Sequence, residues 1–304
     1  MYNNKKIFTI LVTYNPDIES LEKTIRKLSE QTDLIIICNN SNFDLTYHDK
    51  KNIKVFNFKE NIGIAKAQSI GMKWAFKNGA DFVLQMDQDS TPDQGMVSIL
   101  YQTYIKLMKL NYNVGLVGPQ DYDRFTKEIN KARIKKGKSI KEDRNIYLVD
   151  STLSSGSLIP KAAYEAVGGM LDELFIDVVD HEYCWRLIRS GFVVARDNRA
   201  RLSHRLGDGG KKIFGLISVG VPAPFRHYYA FRNIIYLLSK NHPPIYWKTS
   251  SSVKLILKLI FYPLVLNHGF VRLKYMIKGI KDALGGKLGR IDENKTCMVG
   301  SNVS

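Results

Sequence analysis

Apolar positions fall into short continuous runs that alternate with longer stretches at helical spacing. Residues 7–13 (IFTILVT) read as a buried strand, and Tyr14-Asn15-Pro16-Asp17 as a turn. Residues 18–31 follow as an amphipathic helix with Ile18, Leu21, Ile25 and Leu28 in phase. Residues 34–38 (LIIIC) and 53–58 read as two more strands, 64–78 as a helix closed by Gly79, and 81–86 as a fourth strand. Strands alternating with helices predict an α/β fold with a mostly parallel sheet.

Further along, residues 94–110 predict a helix and 114–117 a strand, and 154–160 (SSGSLIP) re-enter the sheet. Residues 182–189 continue as a helix that Gly191 ends, and 192–196 as another strand. Between them, the polar, basic stretch 121–144 predicts a mobile loop or hairpin. The pattern changes near Gly210, which divides an α/β domain, 1–210, from a basic, mainly helical region, 211–304. In the second part Val253, Ile256, Leu257 and Ile260 alternate with Lys254 and Lys258, giving basic amphipathic faces; the polar residues from Ile291 onward predict a disordered tail.

In open α/β sheets ligands bind at the carboxyl ends of strands. Residues 13–17, 38–41 and 87–89 all lie at such ends, so three loops converge on one candidate site. The third reads LQMDQDSTPD, an apolar strand running into Asp87, Asp89 and Asp93. Asp-x-Asp at a strand end can chelate a hard divalent cation, directly or through water, and it can equally be a solvated acidic turn.

The sequence leading into it decides between these. Residues 60–90, ENIGIAKAQSIGMKWAFKNGADFVLQMDQDS, resemble the NxGxAxAxNxG segment, strand and Asp-x-Asp of family 2 glycosyltransferases, most sharply those of bacterial rhamnosyltransferases. VTYNP at 12–16, SSGSLIP at 154–160 and FIDVVDHEYCWRL at 175–187 extend the resemblance, in order, over the first 210 residues. It implies a GT-A fold with a C-terminal helical appendage, a nucleotide-sugar lying across the strand ends, and Mn²⁺ or Mg²⁺ bridging the diphosphate to the Asp-x-Asp. By that resemblance Asp89 is the direct metal ligand and His204 completes the metal site. Thr13, Tyr14, Asn15, Asn61, Gly63, Lys66 and Asp87 contact the nucleotide-sugar. Asn39 stands where relatives carry the Asp that reads the pyrimidine imide; an amide oxygen accepts the same hydrogen bond without charge. Asp180 matches the catalytic base of an inverting transfer, and Asp177 is its competitor. Asp177 and Glu182 are acceptor-side candidates, although Glu182 with Arg186 also makes an ordinary (i, i+4) helix pair. Arg201 and Arg205 flank His204 and could meet phosphate, and Arg232 in YYAFRN is assigned either to packing or to donor phosphate.

Composition narrows the partners. A chain of 304 residues with 44% hydrophobic residues can bury a sizeable core, and three cysteines without CxxC spacing fit a reducing cytoplasm. The first fifteen residues hold no signal-peptide core, and no apolar run is long enough to span a bilayer. A formal charge of +16 calls for an anionic partner. Nucleic acid is not expected, because the aromatic residues occupy apolar periodic positions; a basic nucleic-acid-binding protein is the rival class, and a UDP-sugar transferase the rival within the family. The expected partners are a nucleotide-sugar donor, a saccharide or lipid-linked saccharide acceptor and an anionic membrane surface, with a homo-oligomer left open. The expected function is transfer of L-rhamnose from dTDP-β-L-rhamnose in bacterial surface-polysaccharide synthesis, by an enzyme that is cytoplasmic and peripheral at the inner face of the cell membrane.

Overall fold

The computed structural model describes residues 2, 4–47, 51–129, 137–204, 211–213, 217–219 and 222–291. The chain divides into two compact units, Met1–Leu171 with Val179–Val221, and Asp172–Val178 with Pro222–Ser304. The expected boundary at Gly210, the flanking Arg205 and the expected tail after Ile291 lie outside the described residues.

The first unit is an α/β sheet flanked by helices. Its strands are β1 (Ile7–Thr13), β2 (Leu34–Asn39), β3 (Ile53–Asn57), β4 (Phe82–Asp87), β5 (Thr91–Pro92), β6 (Val114–Asp123), β7 (Lys138–Ser139), β8 (Ile146–Leu148), β9 (Leu158–Pro160) and β10 (Val193–His204), followed by a separate hairpin of β11 (Lys211–Ile213) and β12 (Ile217–Val219). Its helices are α1 (Ile18–Ser29), α2 (Ile64–Lys77), α3 (Met96–Lys109), α4 (Lys161–Val167) and α5 (Val179–Arg189). The sheet runs β3-β2-β1-β4-β9-β6-β10-β8-β7, with β5 paired to β10. The long ladders β3/β2, β2/β1, β1/β4 and β6/β10 are parallel, while β9 and the short strands pair antiparallel.

Alternation along β1 explains its two covered faces. Ile7 and Leu11 join Leu21, Ile25 and Leu28 of α1 and Val97 and Leu100 of α3 in one apolar cluster. Ile10 points the other way, towards α2, where a Cβ on Gly71 would lie 2.7 Å from its Cγ2. Glycine therefore lets α2 sit close to the strand. Burying each such aliphatic side chain contributes about 1.5–3 kcal/mol. Asp17 caps α1 by accepting from Ser20 N at 3.0 Å, so the helix begins as the sequence suggests. Ile18, in phase with the inner face, nevertheless stays exposed in the opening turn.

Three elements depart from the sequence reading. Helix α5 opens at Val179 instead of 182, and β10 continues eight residues beyond Arg196. The charged positions of β10 hid the strand: Asp197 is fully buried, held by Thr103 Oγ1 at 2.6 Å and by Arg199, at a register irregularity. β6 runs past the predicted 114–117 to Asp123, and Tyr122 bridges antiparallel to Ile129 within the stretch read as a mobile loop or hairpin.

The second unit consists of the turn Asp172–Val178 and helices α6 (Arg226–Leu238), α7 (Ile245–Val265) and α8 (Gly269–Leu284). Phe231, Leu255 and Met276, one from each helix, share a core, and Phe175 stacks on Tyr229 at 5.0 Å. Gly279 brings α8 against α6, since a Cβ there would lie 2.5 Å from the Tyr228 carbonyl. Among the described residues no helix is long and apolar enough to cross a membrane.

Candidate active site

Parallel register brings the three strand ends together: Thr13 pairs with Asn39, Val12 with Asp87, and Asn39 with Asn57. The loops leaving these ends are tied by side chains. Gln88, between the two aspartates, accepts from Tyr14 N at 2.6 Å and donates to Tyr14 O at 3.0 Å, and Ser41 Oγ accepts from Asn15 N at 2.8 Å. Tyr14 is left with an exposed ring. Thr13 is buried.

Asn39 is placed differently from its expected role. Its Oδ1 accepts from Thr13 Oγ1 at 3.3 Å and Ser41 N at 3.0 Å, while its Nδ2 donates to Phe43 O at 2.7 Å and Asn57 Oδ1 at 2.8 Å. All four hydrogen-bonding positions are filled inside a fully buried site, and none remains to read a pyrimidine. Asn40 orders the neighbouring loop by accepting from Ile62 N and donating to Gly63 O, and Asn61 accepts from Gly63 N at 3.0 Å. Gly63 adopts φ 87°, and Lys66 stands exposed on the first turn of α2.

Asp87 is the last residue of β4, and Asp89 follows in the turn before β5. Burial, then the negative charges of Asp89 and Asp180, push the Asp87 carboxyl up to about 7. Its backbone N–H donates to Ser155 Oγ at 3.2 Å, while Oδ1 is buried without a hydrogen-bond partner. The segment after it is anchored from β6 and β10. Arg124 donates to the Asp89 carbonyl at 2.8 Å and to Thr91 Oγ1 at 3.1 Å. Ser90 Oγ lies 2.7 Å from His204 Nδ1, in step with the pairing of Thr91 and Ser203. This leaves the Nε2 side of His204 for any ligand. Arg201, three residues earlier on β10, carries a buried Nη1 without a partner.

Asp180 stands in the first turn of α5 and accepts from His181 N at 2.8 Å. It lines a small cavity with Gln85, Ser154, Tyr183 and Cys184. Glu182, two residues on, is fully buried, and its carboxylate accepts from Arg186 Nε at 2.6 Å. Arg186 also donates to the carbonyls of Val167 and Gly169, so the pair locks the segment before the turn.

Within the second unit Asp177 accepts from Arg226 Nη2 and Nε. Arg232 is wholly buried, with its guanidinium on the Glu173, Leu174 and Gly289 carbonyls and beside the Tyr228 and Tyr229 rings, so of its two expected roles packing is the one it fills. Gln88, Ser90, Arg124 and Ser155 were not singled out from sequence. Three of them lie within recognised motifs, which was the available signal; Arg124 sits in the stretch read as a mobile loop or hairpin and gave none.

Among the described residues no three or more His, Cys, Asp or Glu side chains form a metal-holding group. A hard cation that takes one or two carboxylates and completes its shell with phosphate and water does not need one. The orphaned, buried Asp87 Oδ1 beside Asp89 is a donor set of that kind.

A mostly parallel sheet with aspartates at a strand end, flanked by loops that can cradle a nucleotide, is the GT-A arrangement of glycosyltransferases, and the chain belongs to glycosyl transferase family 2, whose model matches residues 9–164. Among curated proteins it is similar to the dTDP-rhamnosyl transferase RfbF of Shigella flexneri, at 32% identity over 94% of this chain and 97% of that protein. Among solved structures it resembles S. aureus TarS 1-349 in complex with UDP-GlcNAc, at a TM-score of 0.58 and 13% identity, covering 93% of this chain and 81% of that one. It also resembles GalNAc-T7 with UDP, GalNAc and Mn²⁺, at a TM-score of 0.53 and 14% identity, where the match covers 87% of this chain and 58% of the other.

Proposed function

We propose that this glycosyltransferase moves L-rhamnose from dTDP-β-L-rhamnose, with inversion, onto a saccharide carried on a lipid, in bacterial surface-polysaccharide assembly. The observation that supports the reaction is geometric: Asp87 ends β4 beside Ser155, and Asp180 lines one small cavity with Gln85 of the same strand and with Ser154, so a separate carboxylate stands near the Asp-x-Asp at that end of the sheet. The choice of rhamnose is supported by the similarity to RfbF along nearly the whole of both chains.

Each residue then has a chemical task. Asp180 takes the proton from the acceptor hydroxyl as that oxygen attacks the anomeric carbon and the diphosphate leaves from the opposite face; one carboxylate suffices for inversion. Tyr14 lies against the base, Asn15, Asn61, Gly63 and Lys66 line the nucleotide-sugar, and Arg201 offers its unpartnered N–H to phosphate. Asp89, with His204 through Nε2, would hold Mn²⁺ or Mg²⁺, and Asp87 would order the ribose or the metal's water. When bound, the cation offsets the charge that builds on the leaving diphosphate.

A panel of nucleotide-sugars tests the reading. Slow hydrolysis of dTDP-β-L-rhamnose in the presence of Mn²⁺ or Mg²⁺, without comparable turnover of UDP-sugars, is the expected result. Turnover confined to a UDP-sugar would replace the donor and keep the mechanism; thermal stabilisation by oligonucleotides alone would remove both.

A further inference from the structure

From Val253 onward helix α7 carries apolar residues on two opposite sides, and only one of those sides is covered. Ser251 and Leu255 are buried and Leu259 and Tyr262 half-buried, packed with residues of α6 and α8 in the core of the second unit. On the opposite side Val253, Ile256, Leu257, Ile260, Phe261 and Leu264 recur at three- and four-residue spacing and are all exposed, Leu264 to 80%. Phe270, at the start of α8, is 81% exposed. A contiguous exposed apolar strip marks an interaction surface.

The charge around this strip identifies what covers it. From Ile245 to Lys281 the sequence holds Lys248, Lys254, Lys258, Arg272, Lys274, Lys278 and Lys281, and not one Asp or Glu. Lys254, on α7 itself, and Lys274 and Lys281, on α8, are exposed. A second copy of the chain docked by the same strip would bring these cations together with no carboxylate of the segment to answer them. An anionic lipid surface supplies the missing charge and an apolar layer beneath it. Helix α7 has 21 residues, but none of the described helices is long and apolar enough to span, which fits a helix lying in the interface.

We infer that the outer face of α7, with Phe270 and the lysines beside it, docks onto an anionic phospholipid surface. Val253, Ile256, Leu257, Ile260, Phe261 and Leu264 enter the boundary between headgroups and acyl chains, while Lys254, Lys274 and Lys281 meet phosphate. The inference deepens the proposed function by naming the surface that would hold the enzyme where a lipid-linked acceptor lies. It rests on that reading for its purpose alone, because vesicle binding does not require turnover.

The test is co-sedimentation of the full chain with phosphatidylcholine vesicles and with vesicles of phosphatidylcholine and phosphatidylglycerol in equal parts. Binding is expected to the anionic vesicles, to weaken as salt rises, and to fall about fivefold for each of Lys254→Gln and Lys274→Gln, the equivalent of about 1 kcal/mol for the one charge removed. Phe261→Asp with Leu264→Asp changes exposed positions only, so the fold is expected to survive, checked by an unchanged thermal midpoint, while vesicle binding drops at least tenfold. Equal recovery on neutral and anionic vesicles, or anionic binding that survives the double Asp variant, overturns the inference. A wild-type dimer that ignores vesicles and that the same variant splits into monomers, read by sedimentation velocity, also overturns it and assigns the face to a second copy. Donor hydrolysis measured without vesicles on the same preparations separates a failure of this surface from a failure of the proposed reaction.

Discussion

The carboxylate of Asp177 is held by the guanidinium of Arg226, the first residue of α6. The turn that carries it is backbone-strained: Phe175, Asp177 and Val178 adopt φ of 65°, 68° and 67°, a region that bulky and β-branched residues avoid. Asn233 holds the turn in place by donating to the carbonyls of Leu174, Ile176 and Asp177 at 3.0, 2.7 and 3.0 Å. The turn runs directly into α5 and Asp180, so one short run of carboxylates in the sequence separates in the structure into one that is ion-paired, one that is buried with Arg186, and one that lines a cavity.

That separation predicts unequal consequences for two neighbouring substitutions. Asp180→Asn should lower the rate of transfer by about 10² to 10⁴, the usual loss for a general base, while dTDP affinity measured by calorimetry stays within a few fold. Asp177→Asn releases Arg226 but removes no base, so transfer should remain within about tenfold of wild type. A larger loss for Asp177→Asn than for Asp180→Asn would reverse the two roles.

Asp89→Ala tests the diphosphate end. If Asp89 holds the cation and the cation holds the diphosphate, the variant should lose the Mn²⁺-dependent part of nucleotide affinity together with activity, since the two form one site. Calorimetric titration with dTDP in the presence and absence of Mn²⁺ measures this directly. Metal-dependent affinity that survives the substitution would return the motif to a solvated acidic turn.

Asn39 gives a prediction opposite to the one its sequence position suggests. Because its amide makes four internal hydrogen bonds, Asn39→Asp cannot donate to Phe43 O and Asn57 Oδ1 and sets a carboxylate against two acceptors. A loss of about 2–4 kcal/mol in denaturant-measured stability is expected, from unsatisfied buried groups at about 1–3 kcal/mol each. No gain in selectivity for uridine over thymidine nucleotides should accompany it. Intact stability together with a changed base preference would show that the side chain does reach the nucleotide.

The elements that position the site were legible because their burial is continuous. β1, β2 and β4 are almost wholly buried runs, and a buried parallel strand needs no alternation to be seen. The convergence of Thr13, Asn39 and Asp87 followed from the rule that ligands gather at strand ends, and the register places them side by side. What could not be read was which polar side chains turn inward. Asp197, Glu182 and Arg232 are fully buried charges whose partners, Arg199, Arg186 and a set of backbone carbonyls, compensate them in ways that a hydrophobic pattern does not encode. The outer face of α7 was legible in part: Val253, Ile256, Leu257 and Ile260 between Lys254 and Lys258 read as a basic amphipathic segment, but apolar residues at helical spacing look the same whether they face a core or water, and the packing of α6 and α8 shows that Val253 and Ile260 remain outside.

His227 gives the pH prediction. It is buried on α6, and its Nε2 lies 2.7 Å from Arg272 Nη1; because a guanidinium can only donate, Nε2 must accept, and the imidazole is neutral. Burial first, then the positive charges of Arg272 and Lys258, push its pKa down to about 4. Tyr262 packs edge-on against the same ring at 5.5 Å and adds no charge. Since the unfolded chain titrates this group near 6.5, it binds more protons than the folded one between the two values, and stability falls as pH falls through that window. The contribution is fully present above about pH 6.5, is lost progressively towards pH 4, and amounts to about 3 kcal/mol over the 2.5 or so units between. His227→Gln keeps an acceptor for Arg272 and carries no titrating proton. Carboxylates shared by both proteins cancel when wild type and variant are compared, so the difference in unfolding free energy between them should shift in the variant's favour by about 2–3 kcal/mol from pH 7 to pH 4.5. A difference that stays flat across that range would mean that the imidazole can take up a proton inside the fold, and that Arg272 moves away when it does.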